Sequence, residues 1–291
     1  MAHCIVESAE AILDKEFPVL DKGFVRLVDY LGGDERVVQA ARVSYGGGTK
    51  SYREDAALID YLLRNEHTSP FEQVVLTFHI KLPIFVARQM IRHRTARLNE
   101  ISGRYSVMKD EFYIPAPDDI ALQSTDNKQG RSSEPVAPEL AETVQDLLRL
   151  GQKEAYEDYQ RLVDQGIARE LARINLPLAL YTEWYWQMDL HNLFHFLKLR
   201  LDAHAQKEIR EYARVMFDIT KQVAPRCCES FERHLLKGVR FSAEELAELR
   251  RRLNSIDNSP GIPLRSSQEE SLLQGKALER FEEKLKSGRQ L

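Results

Sequence analysis

The stretch RHRTARLNEISGRY, residues 92–105, places four arginines, a histidine, a glutamate and a serine within fourteen positions. Guanidinium forks take carboxylate or phosphate oxygens in pairs, so these residue types suit a small anion such as the phosphate of a nucleotide monophosphate. Arg94, Arg97 and Arg104 flank Asn99, Glu100 and Ser102. Beside guanidinium groups a glutamate stays ionised, and it can then fix a sugar or base edge. Spacing alone leaves two readings open: an anion site, or an exposed helix end whose cations suit the helix dipole. A lone Ser102 is by type a turn or cap residue.

Two other constellations have weaker claims. His191 and His195 stand four apart on a predicted helix, a spacing that can hold zinc. The H-E-x-x-H pattern needs a glutamate after the first histidine, and Asn192 stands there. With Leu190, Leu193, Phe194 and Leu197 forming the opposing apolar stripe, a polar-contact face is the better reading, and no metal is expected. The run Gly46–Gly47–Gly48 matches neither the P-loop nor the G-x-G-x-x-G pattern, so it reads as a flexible loop. Any nucleotide cofactor must be held by non-Rossmann means.

The chain has 291 residues, 43% of them hydrophobic, enough for a substantial core. Lysine and arginine total 41 against 45 aspartate and glutamate, a net charge of −4. That sign argues against a nonspecific nucleic-acid binder and makes the cations of residues 92–105 a local feature. The cysteines Cys4, Cys227 and Cys228 form no disulfide framework and no C-x-x-C site. The start MAHCIVESAEAILDKEF does not read as a secretory signal. No apolar run approaches the roughly 20 residues that span a bilayer, so a soluble cytoplasmic protein is expected.

These residues must be held by elements. Residues 23–32 read as a strand and 34–44 as a helix with Asp34 at its N-cap. Residues 53–66 form a strongly amphipathic helix. Residues 73–83 alternate, with Leu76, Phe78, Ile80 and Leu82 facing one way and Val75, Thr77, His79 and Lys81 the other. A helix from Pro83 through the RHR run puts Gln89 and Arg92 on one face. Residues 104–115 read as a strand, 118–138 as a polar loop, and 180–188 as an aromatic strand. Further helices are expected over 139–165, 167–175, 189–201, 204–223, 225–236 and 242–255. Strands and helices without strict βαβ alternation favour an α+β fold.

The stretch resembles the signature R-H-R-x-x-S-x-N-E-x-S-x-R-Y of flavin-dependent thymidylate synthases. Arg92, His93, Arg94, Asn99, Glu100, Ser102, Arg104 and Tyr105 match, and Arg97 stands where the pattern has its first serine. The blocks LDKGFVRLVDYLG, AARVSYGGG, HTSPFEQVVLTFHIKLPIFVARQMIRHR and ARELARINLPLALYTEWYWQMDLHNLFHFLKLRLDAHAQKEIREYA are similar to further parts of the family, over roughly residues 19–235. The resemblance implies a mainly antiparallel central sheet flanked by helices. It divides the chain into an extension over 1–18, a synthase domain over 19–240, and a C-terminal extension over 241–291 with a helix and a charged tail.

The implied reaction is reductive methylation of deoxyuridine monophosphate (dUMP) to thymidine monophosphate (dTMP). Methylenetetrahydrofolate gives the carbon, NADPH reduces bound FAD, and the flavin supplies the hydride; the family's enzymes are homotetramers. Carried over by position, Gln89, Arg92, Glu100, Ser102, Arg104, Arg173 and Arg200 match nucleotide contacts. Ser44, His67, Ser69, Glu72, His93, Arg94 and Thr95 match flavin positions, and Asp189, His191 and His195 fall around the flavin and folate. Arg200 is expected to stabilise charge developing on the pyrimidine, and Ser102 to position the nucleotide. No cysteine sits at a matching site, so a covalent cysteine route is not expected. A nucleic-acid module built on the arginines and a metallohydrolase built on His191 and His195 are the competing readings.

Overall fold

The run Val75–Pro83 buries Leu76, Phe78, Ile80 and Leu82 completely, as its alternation requires. It forms the middle of a five-stranded sheet. The structure is a computed structural model that describes residues 4–43, 52–125 and 128–257 together with Leu278 and Phe281. It divides into two compact units, Met1–Lys237 and Gly238–Leu291.

In chain order the first elements are α1 (Glu7–Glu10), β1 (Glu16–Val19), β2 (Gly23–Leu31), α2 (Asp34–Arg42), α3 (Tyr52–Arg64), β3 (Val75–Pro83), α4 (Ile84–Met90) and β4 (Arg97–Glu100). There follow β5 (Ala121–Gln123), β6 (Arg131–Pro135), α5 (Pro138–Asp164), α6 (Arg169–Ala172), β7 (Tyr181–Asp189), α7 (Leu190–Arg200), α8 (Lys207–Val223) and α9 (Pro225–Phe231). The second unit contributes α10 (Ala243–Asp257). The main sheet has the order β1-β2-β3-β7-β4, and every neighbouring pair is antiparallel. The fold is thus α+β with an antiparallel sheet.

One sheet face carries Val25, Leu27, Phe78, Ile80, Trp184 and Trp186, all buried under helices. Along α8, Ile209, Tyr212, Met216 and Val223 are fully buried against this face. Tyr212 donates from its hydroxyl to the Lys81 carbonyl at 2.8 Å, tying α8 to β3. The approach is close at Gly23, where a Cβ would lie 2.0 Å from the Tyr212 hydroxyl, so only glycine fits.

Several expectations need correction. The helix after Pro83 ends at Met90, and residues 91–96 form turns in which His93 N–H bonds the Met90 carbonyl at 3.0 Å. Gln89 and Arg92 therefore do not share a helical face. The signature then enters β4, an edge strand with all four residues exposed, which the sequence reading did not anticipate. Residues 104–115 are not a strand, because their backbone groups are taken by side chains of α5. Tyr159 accepts from Met108 N–H at 2.9 Å, and Tyr156 donates to the Met108 carbonyl at 3.0 Å. Only Phe112 bridges to Leu180.

The expected loop over 118–138 holds the β5–β6 hairpin. Asp34 is not an N-cap; Gly33 is. The Asp34 carboxylate instead accepts from the N–H groups of Arg226 and Cys227, at 2.8 and 3.0 Å, and so caps α9. At the N-terminal side, β1 pairs with β2 in the register Glu16↔Arg26 to Val19↔Gly23. The glycine run at 46–48 lies outside the described residues.

Candidate active site

The turn after α4 puts His93 into a niche at the C-terminal end of α7. Its ring meets Phe196 edge-on at 4.9 Å and His195 at 6.1 Å. His93 is 8% exposed. Arg200, in the last turn of α7, donates from Nε to His93 Nε2 at 3.1 Å and from Nη2 to the Gln89 carbonyl at 3.3 Å. Because Nε2 accepts, the imidazole proton sits on Nδ1 and the ring is neutral. Burial, then the Arg200 charge, then His195 push its pKa down to about 4. Burial, then Arg92, lowers Arg200 from its ordinary value. Gln89 at the end of α4 donates through Nε2 to Gln206 Oε1 at 2.5 Å. Gln89, Arg92, His93, His195 and Arg200 are therefore one group, built where α4 meets α7.

A second group follows β4. Antiparallel register sets Glu100 opposite Trp184 on β7, and Glu100 Oε1 accepts from the buried Thr182 hydroxyl at 2.6 Å. Beyond the strand, Ser102 Oγ accepts from Arg104 N–H at 3.2 Å, while Arg104 Nε pairs with Glu170 at 3.1 Å. Gly103 allows a close approach, since a Cβ there would lie 3.2 Å from Arg173 Nη1 and 3.1 Å from Met108 Sδ. Glu100, Ser102, Arg104 and Arg173 are thus gathered around one turn.

The remaining residues lie apart. His67 meets the Tyr61 ring edge-on at 5.7 Å, and Glu72 accepts from Thr68 at 3.1 Å, with Ser69 exposed between them. Among the described residues no hydrogen bond, ion pair or ring contact joins this third group to the other two. Asp189 is the N-cap of α7, accepting from Asn192 N–H at 2.9 Å and its side-chain amide at 2.7 Å. His191 is half-buried on the first turn of α7, and Arg94 and Thr95 are exposed. Ser44 lies outside the described residues. Among the described residues no cluster of three His, Cys, Asp or Glu side chains could share a metal ion.

Ion pairing separates these arginines from most others of the chain. Arg26, Arg42, Arg64, Arg131 and Arg233 each face a carboxylate. Arg92, Arg94, Arg97, Arg173 and Arg200 have no carboxylate partner among the described residues. Unneutralised guanidinium groups close together repel each other, and the Arg92 charge adds to burial in lowering Arg200. Anionic ligands would relieve that repulsion. The neutral His93, with its Nδ1–H unclaimed among the described residues, is a donor fit for a carbonyl or ring nitrogen of a planar heterocycle such as a flavin.

Sequence reasoning missed Thr182, Glu170, Phe196 and Gln206, the partners that orient Glu100, Arg104, His93 and Gln89. The polar Gln206 opening the helix of the DAHAQKEI block was the one available signal.

The family model described as thymidylate synthase complementing protein matches residues 26–226. The model described as the ThyX C-terminal domain matches residues 239–291. A flavin-dependent thymidylate synthase of Treponema denticola is 67% identical over 279 residues, covering 96% of this chain and 100% of the relative. One from Thermus thermophilus is 60% identical over 233 residues, covering 80% and 84%. Among solved structures, a UMP/dUMP methylase PolB from Streptomyces cacaoi bound with 5-Br dUMP superposes with a TM-score of 0.69. It is 34% identical over 76% of this chain and 99% of its own. With eight of the nine fixed positions of the signature matched and the family model covering residues 26–226, the chain belongs to the flavin-dependent thymidylate synthase family.

Proposed function

We propose that this protein converts dUMP to dTMP, with methylenetetrahydrofolate as carbon donor, and with FAD as the resident cofactor reduced by NADPH. The observation that carries the reading is a set of arginines without a carboxylate partner among the described residues: Arg92 and Arg200 in the group around His93, and Arg173 at the polar turn of Ser102 and Arg104. A nucleotide monophosphate supplies the missing negative charge and the donors and acceptors for that turn.

The residues divide the work. Arg104 and Arg173 take the phosphate, aided by the Ser102 hydroxyl. Glu100, held by Thr182, takes a hydroxyl of the sugar. Arg200 is fixed from two sides, by His93 Nε2 and the Gln89 carbonyl, and so presents a preorganised cation to the pyrimidine carbonyl edge. A cation that need not reorganise stabilises charge developing on the ring. His93 Nδ1–H, Arg94 and Thr95, with Ser44, His67, Ser69, Glu72, Asp189, His191 and His195, are the residues that would hold FAD. The bound flavin supplies the hydride. Holding nucleotide, flavin and folate in register is itself a large part of such catalysis.

Side chains beside the signature support a homotetramer with sites completed between subunits: Leu98, Ile101, Tyr105 and Ile174 are exposed, Tyr105 at 77%. Residues 19–240 are proposed as the synthase domain, between an extension over 1–18 and one over 241–291. Free, buried Cys227 and Cys228 suit a reducing cytoplasm. No described helix is long and apolar enough to cross a membrane.

The test is to purify the protein, record its visible spectrum, add NADPH anaerobically with and without dUMP, and measure dTMP after adding methylenetetrahydrofolate. A flavin spectrum that bleaches, with dTMP formed, supports the reading. A colourless protein that takes up no FAD and forms no dTMP refutes it. Running UMP beside dUMP reports the sugar preference.

A further inference from the structure

The amide of Gln89 is held by a relay that ends on a buried carboxylate. Gln89 Nε2 donates to Gln206 Oε1 at 2.5 Å, and Gln206 Nε2 donates to Glu208 Oε2 at 2.8 Å. Glu208 is 3% exposed. Its other oxygen accepts from the Tyr113 hydroxyl at 3.1 Å and pairs with Arg131 of the β5–β6 hairpin. Burial pushes the Glu208 carboxyl up, but the Arg131 hydrogen bond and charge, a backbone hydrogen bond and the Gln206 hydrogen bond together hold it below its ordinary value, so the group stays ionised. An ionised carboxylate only accepts hydrogen bonds. Gln206 must therefore turn its NH2 toward Glu208 and its oxygen toward Gln89. Gln89 must in turn spend an N–H on Gln206, which leaves its own Oε1 free among the described residues.

We propose that Gln206 is a positioning residue for the nucleotide. Through it, Glu208 dictates that Gln89 presents its amide oxygen, and so accepts a hydrogen bond from a donor on the substrate. This rests on the reading of Gln89 as a nucleotide contact. Gln206 and Glu208 open α8 and Arg131 comes from the hairpin, so the relay links two separate elements to the site. Without Gln206 the Gln89 amide loses its anchor and can present either end. An acceptor then competes with a donor at the same place.

The experiment measures kcat and KM for dUMP in the FAD-loaded full chain, for Gln206→Leu, Gln89→Leu and the double variant, with the flavin spectrum and melting temperature recorded alongside. Losing one orienting hydrogen bond predicts a rise in KM for dUMP of about tenfold in each single variant. The double variant is expected to be no worse than Gln89→Leu alone, because Gln206 acts only through Gln89. Independent, multiplying effects would overturn the relay while leaving Gln89 as a nucleotide contact. An unchanged KM in Gln89→Leu would overturn both that contact and the relay.

Gln206→Glu gives a second readout that a merely structural role would not produce. The new carboxyl faces Glu208 and takes up a proton more readily than usual, since two adjacent carboxylates cannot both ionise freely. As a protonated acid it again donates to Glu208 and accepts from Gln89. Its KM relative to the parent is therefore expected to fall as pH is lowered from 8 to 6. A pH-independent ratio would overturn the proposal.

Discussion

Removing Arg200 tests the electrostatic core of the site. Its guanidinium donates to His93 Nε2 at 3.1 Å and to the Gln89 carbonyl at 3.3 Å, so its place is fixed before any ligand arrives. Losing one preorganised donor to developing charge typically costs on the order of 10²–10³ in turnover. Arg200→Ala is expected to lower kcat by that factor while the flavin spectrum is retained. A second readout is independent of turnover. The Arg200 charge is one of the causes that hold His93 at a pKa of about 4, second to burial and ahead of His195. Burial remains in the variant, so the His93 pKa should rise but not return fully to 6.5. Imidazole NMR across pH 3–8 measures this, and dTMP formation measures the rate. Arg200→Lys keeps the charge but cannot donate in two fixed directions, so it should recover only part of kcat. Turnover within about threefold of the parent in Arg200→Ala, or an unmoved His93 titration, would refute the reasoning.

Further outcomes are expected. Ser102→Ala should raise KM for dUMP by roughly tenfold without abolishing dTMP formation, because its hydroxyl positions and does not attack; steady-state kinetics decide this. Gly23→Ala puts a methyl 2.0 Å from the Tyr212 hydroxyl and 2.7 Å from the Lys81 carbonyl, and overpacking of that kind costs about 1–3 kcal/mol. Calorimetry should show a drop of about 2–4 °C per kcal/mol. Asp34→Ala removes the acceptor for the Arg226 and Cys227 N–H groups and should cost about 1–2 kcal/mol, with faster hydrogen exchange at those two amides. For pH, the folded-state His93 pKa of about 4 lies below its ordinary 6.5, so the unfolded chain binds the proton more readily. His93 therefore contributes stability that is present above pH 6.5 and is lost as pH falls toward 4. Denaturant midpoints for the parent and His93→Gln should converge over that window.

Much of the frame was legible because it depends on periodicity. Leu76, Phe78, Ile80 and Leu82 alternate, and all four are buried in β3. The stripe Leu190, Leu193, Phe194 and Leu197 has helical spacing, and it is the buried face of α7. Residues 104–115 misled for the same reason. Their apolar side chains are buried at Met108 and Phe112, but the backbone partners are Tyr156 and Tyr159 of a distant helix, and no local pattern encodes those. The short β4 was hidden because an exposed edge strand has no hydrophobic alternation to show.

The sequence by itself determined the signature, the types of the ligand-binding groups and the faces that must be buried. All of these follow from residue identity and short spacing. The tertiary structure decided which groups meet. His93 reaches Arg200 across 107 positions, Glu100 reaches Thr182 across 82, and Gln89 reaches Gln206 across 117. Such contacts depend on strand register and on the angle at which α4, α7 and α8 pack. Burial alone is non-directional, so a hydrophobic pattern brings these elements together without stating which polar side chains face one another. The hydrogen bonds that hold Arg200, Glu100 and Gln89 in place exist only once packing has fixed that geometry.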